Sequence, residues 1–213
     1  MQDSQDYVTA EQARALVDCA DRPRDKLLIR FLFHTSRRIN EVVKPLGPTP
    51  SDINYADRLI RFNILKKRRP FVSFIHVDTA LLVGLKDYIT TYNIRPSDFI
   101  FPFSDERSRQ IINNAALKAA VIHPELFTID LTPRGVTRVR IGKGFIKNHT
   151  FRHAAIIHVI RSLEKEGKQT EGLLTANQLA EHGSWEQTLE YLRRFGQTAF
   201  KENINNVFIQ DPV

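Results

Sequence analysis

The sequence predicts an α+β protein, mainly helical, with one small antiparallel β-hairpin. Three observations predict it. Polar capping residues at Thr9, Asp78 and Ser104 stand ahead of apolar residues recurring three and four apart, as in helices with one buried face. Two strand-like runs, residues 58–65 and 71–77, flank the basic turn Lys66-Lys67-Arg68-Arg69-Pro70. The 213 residues, 42% of them hydrophobic, are enough to bury one proper core.

In chain order, Thr9-Ala10-Glu11-Gln12 is a capping box that opens a helix to about Cys19. A second helix follows Pro23, carries Leu27, Leu28, Phe31 and Leu32 on one side, and runs to about Thr35. A polar cluster at Ser36-Arg37-Arg38 then breaks the apolar pattern, and a short helix restarts. Arg38 and Glu41 lie three apart, so the carboxylate could hold the guanidinium; an ordinary surface ion pair of little worth has the same spacing. Residues 44–51 are loop, because Pro45, Pro48 and Pro50 exclude regular structure.

The basic hairpin tip reads equally as a solvated charge run or as a turn reaching into a nucleic-acid groove. Asp78 caps a helix to about Tyr92 carrying Leu81, Leu82, Leu85 and Ile89. Residues 99–101 form a short buried run, and Ser104 or Asp105 opens a helix to about Val121. Residues 122–148, with Arg134, Arg138, Arg140, Lys143 and Lys147, read as an extended basic loop or hairpin. A mostly apolar helix follows His149. Residues 166–172 are a polar link, Thr175-Ala176-Asn177-Gln178 is a second capping box for a helix ending near Gly183, and Ser184 caps the helix containing Tyr191.

Composition narrows the partners. Lys and Arg exceed Asp and Glu by 31 − 24 = 7, and the isoelectric point is near 9.7, so a polyanion is favoured. An anionic membrane surface would suit the charge too. No segment approaches the apolar length of a transmembrane helix, and residues 1–6 are polar and acidic, unlike a signal peptide. Cys19 is the single cysteine and has no internal disulfide partner, and no Cys/His cluster has zinc spacing. These features predict an intracellular protein without a structural metal.

The most informative stretch is His149-Thr150-Phe151-Arg152-His153. At helical spacing His149, Arg152 and His153 share one face, directly ahead of Ala154, Ala155, Ile156, Ile157, Val159, Ile160 and Leu163. Desolvating a guanidinium and two imidazoles at the mouth of a buried helix is costly unless something pairs with them, and an anionic ligand would. Polar residues that simply face water at a helix start are the plain alternative.

Several such pieces occur here in one order: Arg38 in an R-x-x-E setting, a lysine on a β-hairpin, His149-x-x-Arg152, His182, and Tyr191 nine residues later. This order resembles the tyrosine recombinase (phage integrase) family, specifically its C-terminal catalytic domain, over nearly the whole chain. Thr35-Ser36-Arg37-Arg38-Ile39-Asn40-Glu41 looks like the family's first arginine box. His149-Thr150-Phe151-Arg152-His153 looks like its second, and Leu179-Ala180-Glu181-His182-Gly183-Ser184 looks like its Leu-Gly-His-Ser box. Ser36 and Arg37 depart from the usual Gly and Leu, and Ala180-Glu181 from the usual Leu-Gly. The prolines and the basic hairpin look more archaeal or viral than typically bacterial.

The resemblance implies a site-specific recombinase or integrase that cuts and rejoins double-stranded DNA through a 3′-phosphotyrosyl intermediate. Catalysis would fall to Arg38, Lys66, His149, Arg152, His182 and Tyr191, supported by Glu41 and His153. DNA binding would fall to Lys67, Arg68, Arg69, Arg138, Arg140, Lys143 and Lys147. It implies no metal, no cofactor and no ATP. It also implies a monomer when free and a tetramer on paired sites, working in the cytoplasm at a prokaryotic nucleoid or encoded by a virus or plasmid. Residues 1–196 would be the catalytic domain and 197–213 a tail helix, with the family's N-terminal clamp domain absent. The tail's stripe of Phe200, Ile204, Val207 and Phe208 would dock on its own domain or on a neighbouring subunit.

The residues support this chemistry on their own terms. A tyrosine hydroxyl, with a pKa of about 10, is a poor nucleophile until its surroundings help it lose a proton. Two guanidinium forks can bind a phosphodiester and stabilise the added charge of a pentacoordinate transition state. Neighbouring strand residues point to opposite faces, so Lys66 is the first candidate for protonating the leaving oxygen and Lys67 the second. A type IB topoisomerase uses a similar residue set but relaxes one duplex. A non-enzymatic DNA-binding descendant of the fold is disfavoured, because every catalytic residue type is present. His34, His76, His123 and His158 read as structural or surface residues, and Trp185 as core.

Overall fold

The computed structural model describes residues 7–66, 69–131, 135–141 and 144–180. They form seven α-helices and two three-stranded antiparallel sheets, the mainly helical α+β architecture that the sequence predicts. The chain divides into two compact units, residues 1–155 and 156–213.

In the first unit, helix α1 (Ala10–Cys19) starts on the expected capping box. Gln12 N–H donates to Thr9 Oγ1 at 3.1 Å, and Thr9 N–H donates to Gln12 Oε1 at 2.9 Å. Helix α2 (Pro23–Thr35) ends where Ser36 turns left-handed at φ 56°, and α3 (Ile39–Val42) restarts after Arg38. Helix α4 (Thr79–Thr91) is capped by Asp78, which also pairs with His34 at 2.6 Å, and α5 (Asp105–Ile122) is capped by Ser104. Leu16, Leu28, Leu32 and Leu85 are fully buried around an aromatic centre. There Phe31 packs against Phe62 and Phe101 at ring distances of 5.9 and 5.4 Å.

The first sheet has the order β1 (Ile53–Asn54), β2 (Leu59–Lys66), β3 (Arg69–His76). The hairpin is longer than the sequence suggests. Pairing continues to Lys66 opposite Arg69, into the segment read as a turn, because the backbone ladder is indifferent to charge. Ile60, Phe62 and Ile64 face the core, while Arg61 and Asn63 alternate outward. Strand β1 is too short to leave a periodic signal.

Residues 122–148 are more regular than the basic loop expected. They hold β4 (Thr128–Leu131), β5 (Thr137–Ile141) and β6 (Gly144–Phe145), paired antiparallel. Val139 and Ile141 are buried on one face of β5. On the other, Arg140 pairs with Asp130 across the ladder and lies over the Phe145 ring at 5.4 Å. The density of basic residues hides this alternation.

Helix α6 (Asn148–Lys165) crosses the unit boundary. In the second unit the polar link shrinks to residues 166–168, and α7 (Gln169–Ala180) begins early, which corrects the reading of residues 166–172. The turn is closed by Gly167 at φ 75° and by Lys168 N–H donating to Leu163 O at 2.8 Å. Thr175-Ala176-Asn177-Gln178 therefore lies inside α7 and does not start a helix. The reason is Gly172: a Cβ there would meet Leu163 Cβ at 3.2 Å and the Ile160 carbonyl at 3.4 Å, so its absence lets α7 lie against α6. Tertiary packing overrides the local capping signal. Among the described residues, no helix is long and apolar enough to cross a membrane.

Candidate active site

The site starts at the end of α2. Thr35 Oγ1–H donates to Phe31 O at 2.7 Å, and Ser36 then takes the left-handed turn. That turn sends Arg37 inward, where it is 1% exposed, and leaves Arg38 at the start of α3. Glu41, itself 4% exposed, accepts from Arg38 N–H at 2.9 Å and from Arg38 Nη1–H at 3.1 Å. A buried carboxylate with two bonds is a fixed bracket, so the expected Arg38–Glu41 pairing is present and is more than a loose surface ion pair.

The second half comes from the first turn of α6. Thr150 Oγ1–H donates to Lys147 O at 2.6 Å, and Phe151 is fully buried and anchors the helix. Arg152 is 3% exposed and donates from Nη1 to Ser36 O at 2.8 Å. The two arginine segments, remote in sequence, are thus joined by a direct hydrogen bond. His149 stands at the helix start, with its ring 4.2 Å from that of His153 in an edge-on arrangement. Partial burial, then the charges of Arg152 and Arg38, hold the His149 imidazolium pKa below its ordinary 6.5. A neutral imidazole beside two guanidinium groups can accept a proton at neutral pH.

These side chains open on one cleft of about 710 Å³, lined by Arg37, Arg38, Arg138, Lys147, His149 and Arg152 among others. Asp105 and Glu106 line it too, and both pair with Arg109, at 2.8 and 3.5 Å. A concave surface with this much fixed positive charge and a neutral base suits a phosphate ester.

The sequence search finds no matching family model and no matching curated protein. Solved structures do match. XerA recombinase superposes over 97% of this chain with a TM-score of 0.63 at 14% identity. The Tn1549 transposon integrase, solved in complex with a circular intermediate DNA, superposes over 87% with a TM-score of 0.58 at 14% identity. The chain has the tyrosine recombinase fold. It spans 65% and 60% of the lengths of those two chains.

Within the tyrosine recombinase fold, the site residues read from the sequence divide into four groups. Arg38, Glu41, His149, Arg152, Arg138 and Lys147 converge as described, with His153 against His149. Lys66 is the last residue of β2, and Arg69 faces it on β3. Arg140 is occupied by Asp130 and Phe145, an arrangement that sequence spacing did not suggest. Lys67, Arg68, Lys143, His182, Tyr191 and the tail at 197–213 lie outside the described residues.

Two residues at the cleft escaped the sequence reading. Arg37 registered only as a departure from a pattern, and no periodicity marks an arginine as buried. Asn148 donates from Nδ2 to Ser108 Oγ at 3.5 Å, while its Oδ1 is buried without a hydrogen-bond partner among the described residues. Among those residues, no group of three or more His, Cys, Asp and Glu side chains could hold a metal ion.

Proposed function

We propose that this chain is the cutting and rejoining part of a site-specific DNA recombinase or integrase. The observation that carries the reading is the convergence of Arg38, Arg152 and His149 on one cleft. Arg38 and Arg152 bind the two non-bridging oxygens of a phosphodiester and stabilise the charge that builds as phosphorus becomes pentacoordinate. Tyr191 Oη attacks phosphorus and gives its proton to His149, while the bond from phosphorus to the 5′-oxygen breaks. Lys66 protonates that oxygen, and His182 donates a hydrogen bond to the phosphate.

The product is a 3′-phosphotyrosyl bond that keeps the energy of the backbone linkage. A 5′-hydroxyl from a second strand then attacks it, losing its proton to Lys66, and Tyr191 leaves with the proton held by His149. No nucleotide is consumed, and the positive charge needed comes from side chains. The partner is double-stranded DNA, on which four copies assemble at paired sites from free monomers. The setting is a prokaryotic cytoplasm or a mobile element within it. DNA binding by the Tn1549 integrase supports this partner.

The test is a suicide substrate nicked near its site, resolved on a denaturing gel. The unmodified protein should form a covalent adduct, and Tyr191→Phe should bind the DNA without forming one. An adduct that persists in Tyr191→Phe sinks the assignment.

A further inference from the structure

Arg37 precedes Arg38 in the chain and lines the same cleft as Arg152, yet it is 1% exposed, so it is too buried to be a DNA contact itself. Its Nε–H donates to Thr35 O at 3.4 Å, just before the left-handed turn at Ser36. Its guanidinium lies over the Phe62 ring at 5.5 Å, and Phe62 packs on Phe31 of α2. Arg37 therefore ties the Ser36 turn to two core elements, α2 and β2. The carbonyl presented by that turn, Ser36 O, receives Arg152 Nη1 at 2.8 Å. The length of Arg37 makes this tie possible, because a shorter or branched apolar side chain could fill the volume but could not hold the Thr35 carbonyl.

We infer that Arg37 is a positioning residue, which fixes the Ser36 carbonyl and through it sets the place of the Arg152 guanidinium in the cleft. The inference rests on the proposed DNA chemistry only for its consequence, namely that Arg152 needs a fixed position to meet a phosphate. The placement itself can be tested without any reaction. His149 is a built-in reporter, because burial, Arg152 and Arg38 are what lower its pKa. Displacing Arg152 weakens one of those causes.

The experiment is an NMR titration of the imidazole signals of the whole chain, with His149 assigned by the signal lost in His149→Gln. Arg37→Leu should fold and should raise the His149 pKa toward 6.5. The same change in an Arg152→Ala background should leave the His149 pKa unmoved, since the group being displaced is gone. No shift in a folded Arg37→Leu protein overturns the inference. A shift that survives in the Arg152→Ala background also overturns it, because Arg37 would then act directly through its own charge. If Arg37→Leu does not fold, Arg37→Lys carries the same criteria, with a smaller shift expected because the ammonium cannot reproduce the planar stack and the Nε–H bond together.

On the suicide substrate, Arg37→Leu should slow single-turnover cleavage at least tenfold with DNA affinity within twofold. Failure of cleavage in every variant and in the unmodified protein would count against the recombinase reading and leave the titration to judge Arg37. Unchanged cleavage in an otherwise active protein would overturn the inference.

Discussion

Replacing Ser36 by glycine should stabilise the protein, although the residue sits in the middle of the site. Ser36 is fully buried, has φ 56°, and its Oγ has no hydrogen-bond partner among the described residues. An L-residue in the left-handed region costs roughly 1–2 kcal/mol, which glycine escapes. A buried hydroxyl without a partner costs on the order of 1–3 kcal/mol more. Against this, glycine adds about 0.4–1 kcal/mol of unfolded-state entropy, and the lost packing of one carbon costs about 0.8 kcal/mol. The balance is about 2 kcal/mol in favour of glycine, worth roughly 4–8 °C in Tm for a chain of this size. Ser36→Ala separates the terms, because it removes the hydroxyl and keeps the strained φ. Both variants should melt above the unmodified protein by calorimetry, and Ser36→Gly should keep its cleavage rate because the carbonyl that holds Arg152 is backbone. A lower Tm for both would refute the reasoning at its root, and a lower Tm for glycine alone would refute the backbone term.

Two other outcomes follow from the same geometry. Glu41→Ala removes both bonds that hold Arg38 in place, and since Arg38 is already 41% exposed at its side chain, water takes over much of its solvation. The expected loss is about 1–2 kcal/mol, the range of a lost cap with one screened ion pair, together with a large fall in cleavage; unchanged cleavage would show that Arg38 needs no bracket. His149 has a folded pKa below the ordinary 6.5, so between that lowered pKa and 6.5 the unfolded chain binds more protons than the folded one. Folding stability should therefore fall as pH drops through that window, and the acid limb of cleavage should lie below pH 6.5; an acid limb above 6.5 would remove His149 as the base.

Much of the fold was legible because its helices carry their own stop and start chemistry. The Thr9 capping box, the Asp78 cap and the Ser104 cap each stand at a helix start in the structure. The failures share a cause. Thr175-Ala176-Asn177-Gln178 has capping chemistry, but a cap competes with tertiary packing, and the close approach at Gly172 wins. At β4–β6, charge clustered on one face masked a period of two. In the site, the Arg38–Glu41 pairing and the shared face of His149 and Arg152 were legible from spacings of three residues. Arg37 was not, since burial of a charged side chain depends on what the fold brings over it, here Phe62.

The two arginines proposed to share a phosphate sit in opposite environments, and this division follows from their places in the chain. Arg152 lies one turn into a helix whose neighbours Phe151, Ala154 and Ala155 are buried, so its stem is carried into the protein and its fork meets a backbone carbonyl. A charge fixed there acts through a medium of low dielectric and has little reorganisation left to undergo when an anion arrives. Arg38 stands at the start of a four-residue helix, half in water, with a buried carboxylate as its bracket. Glu41 lowers the net charge of that pair but holds one edge of a planar five-donor fork, so that the remaining edge is oriented at small entropic cost. One arginine thus contributes field strength and the other orientation. The hydrogen bond from Arg152 to Ser36 O keeps the two in register, because the residue that accepts it lies only two positions before Arg38. A change that displaces the Ser36 carbonyl therefore acts on both arginines together, whereas a change at Glu41 acts on Arg38 alone.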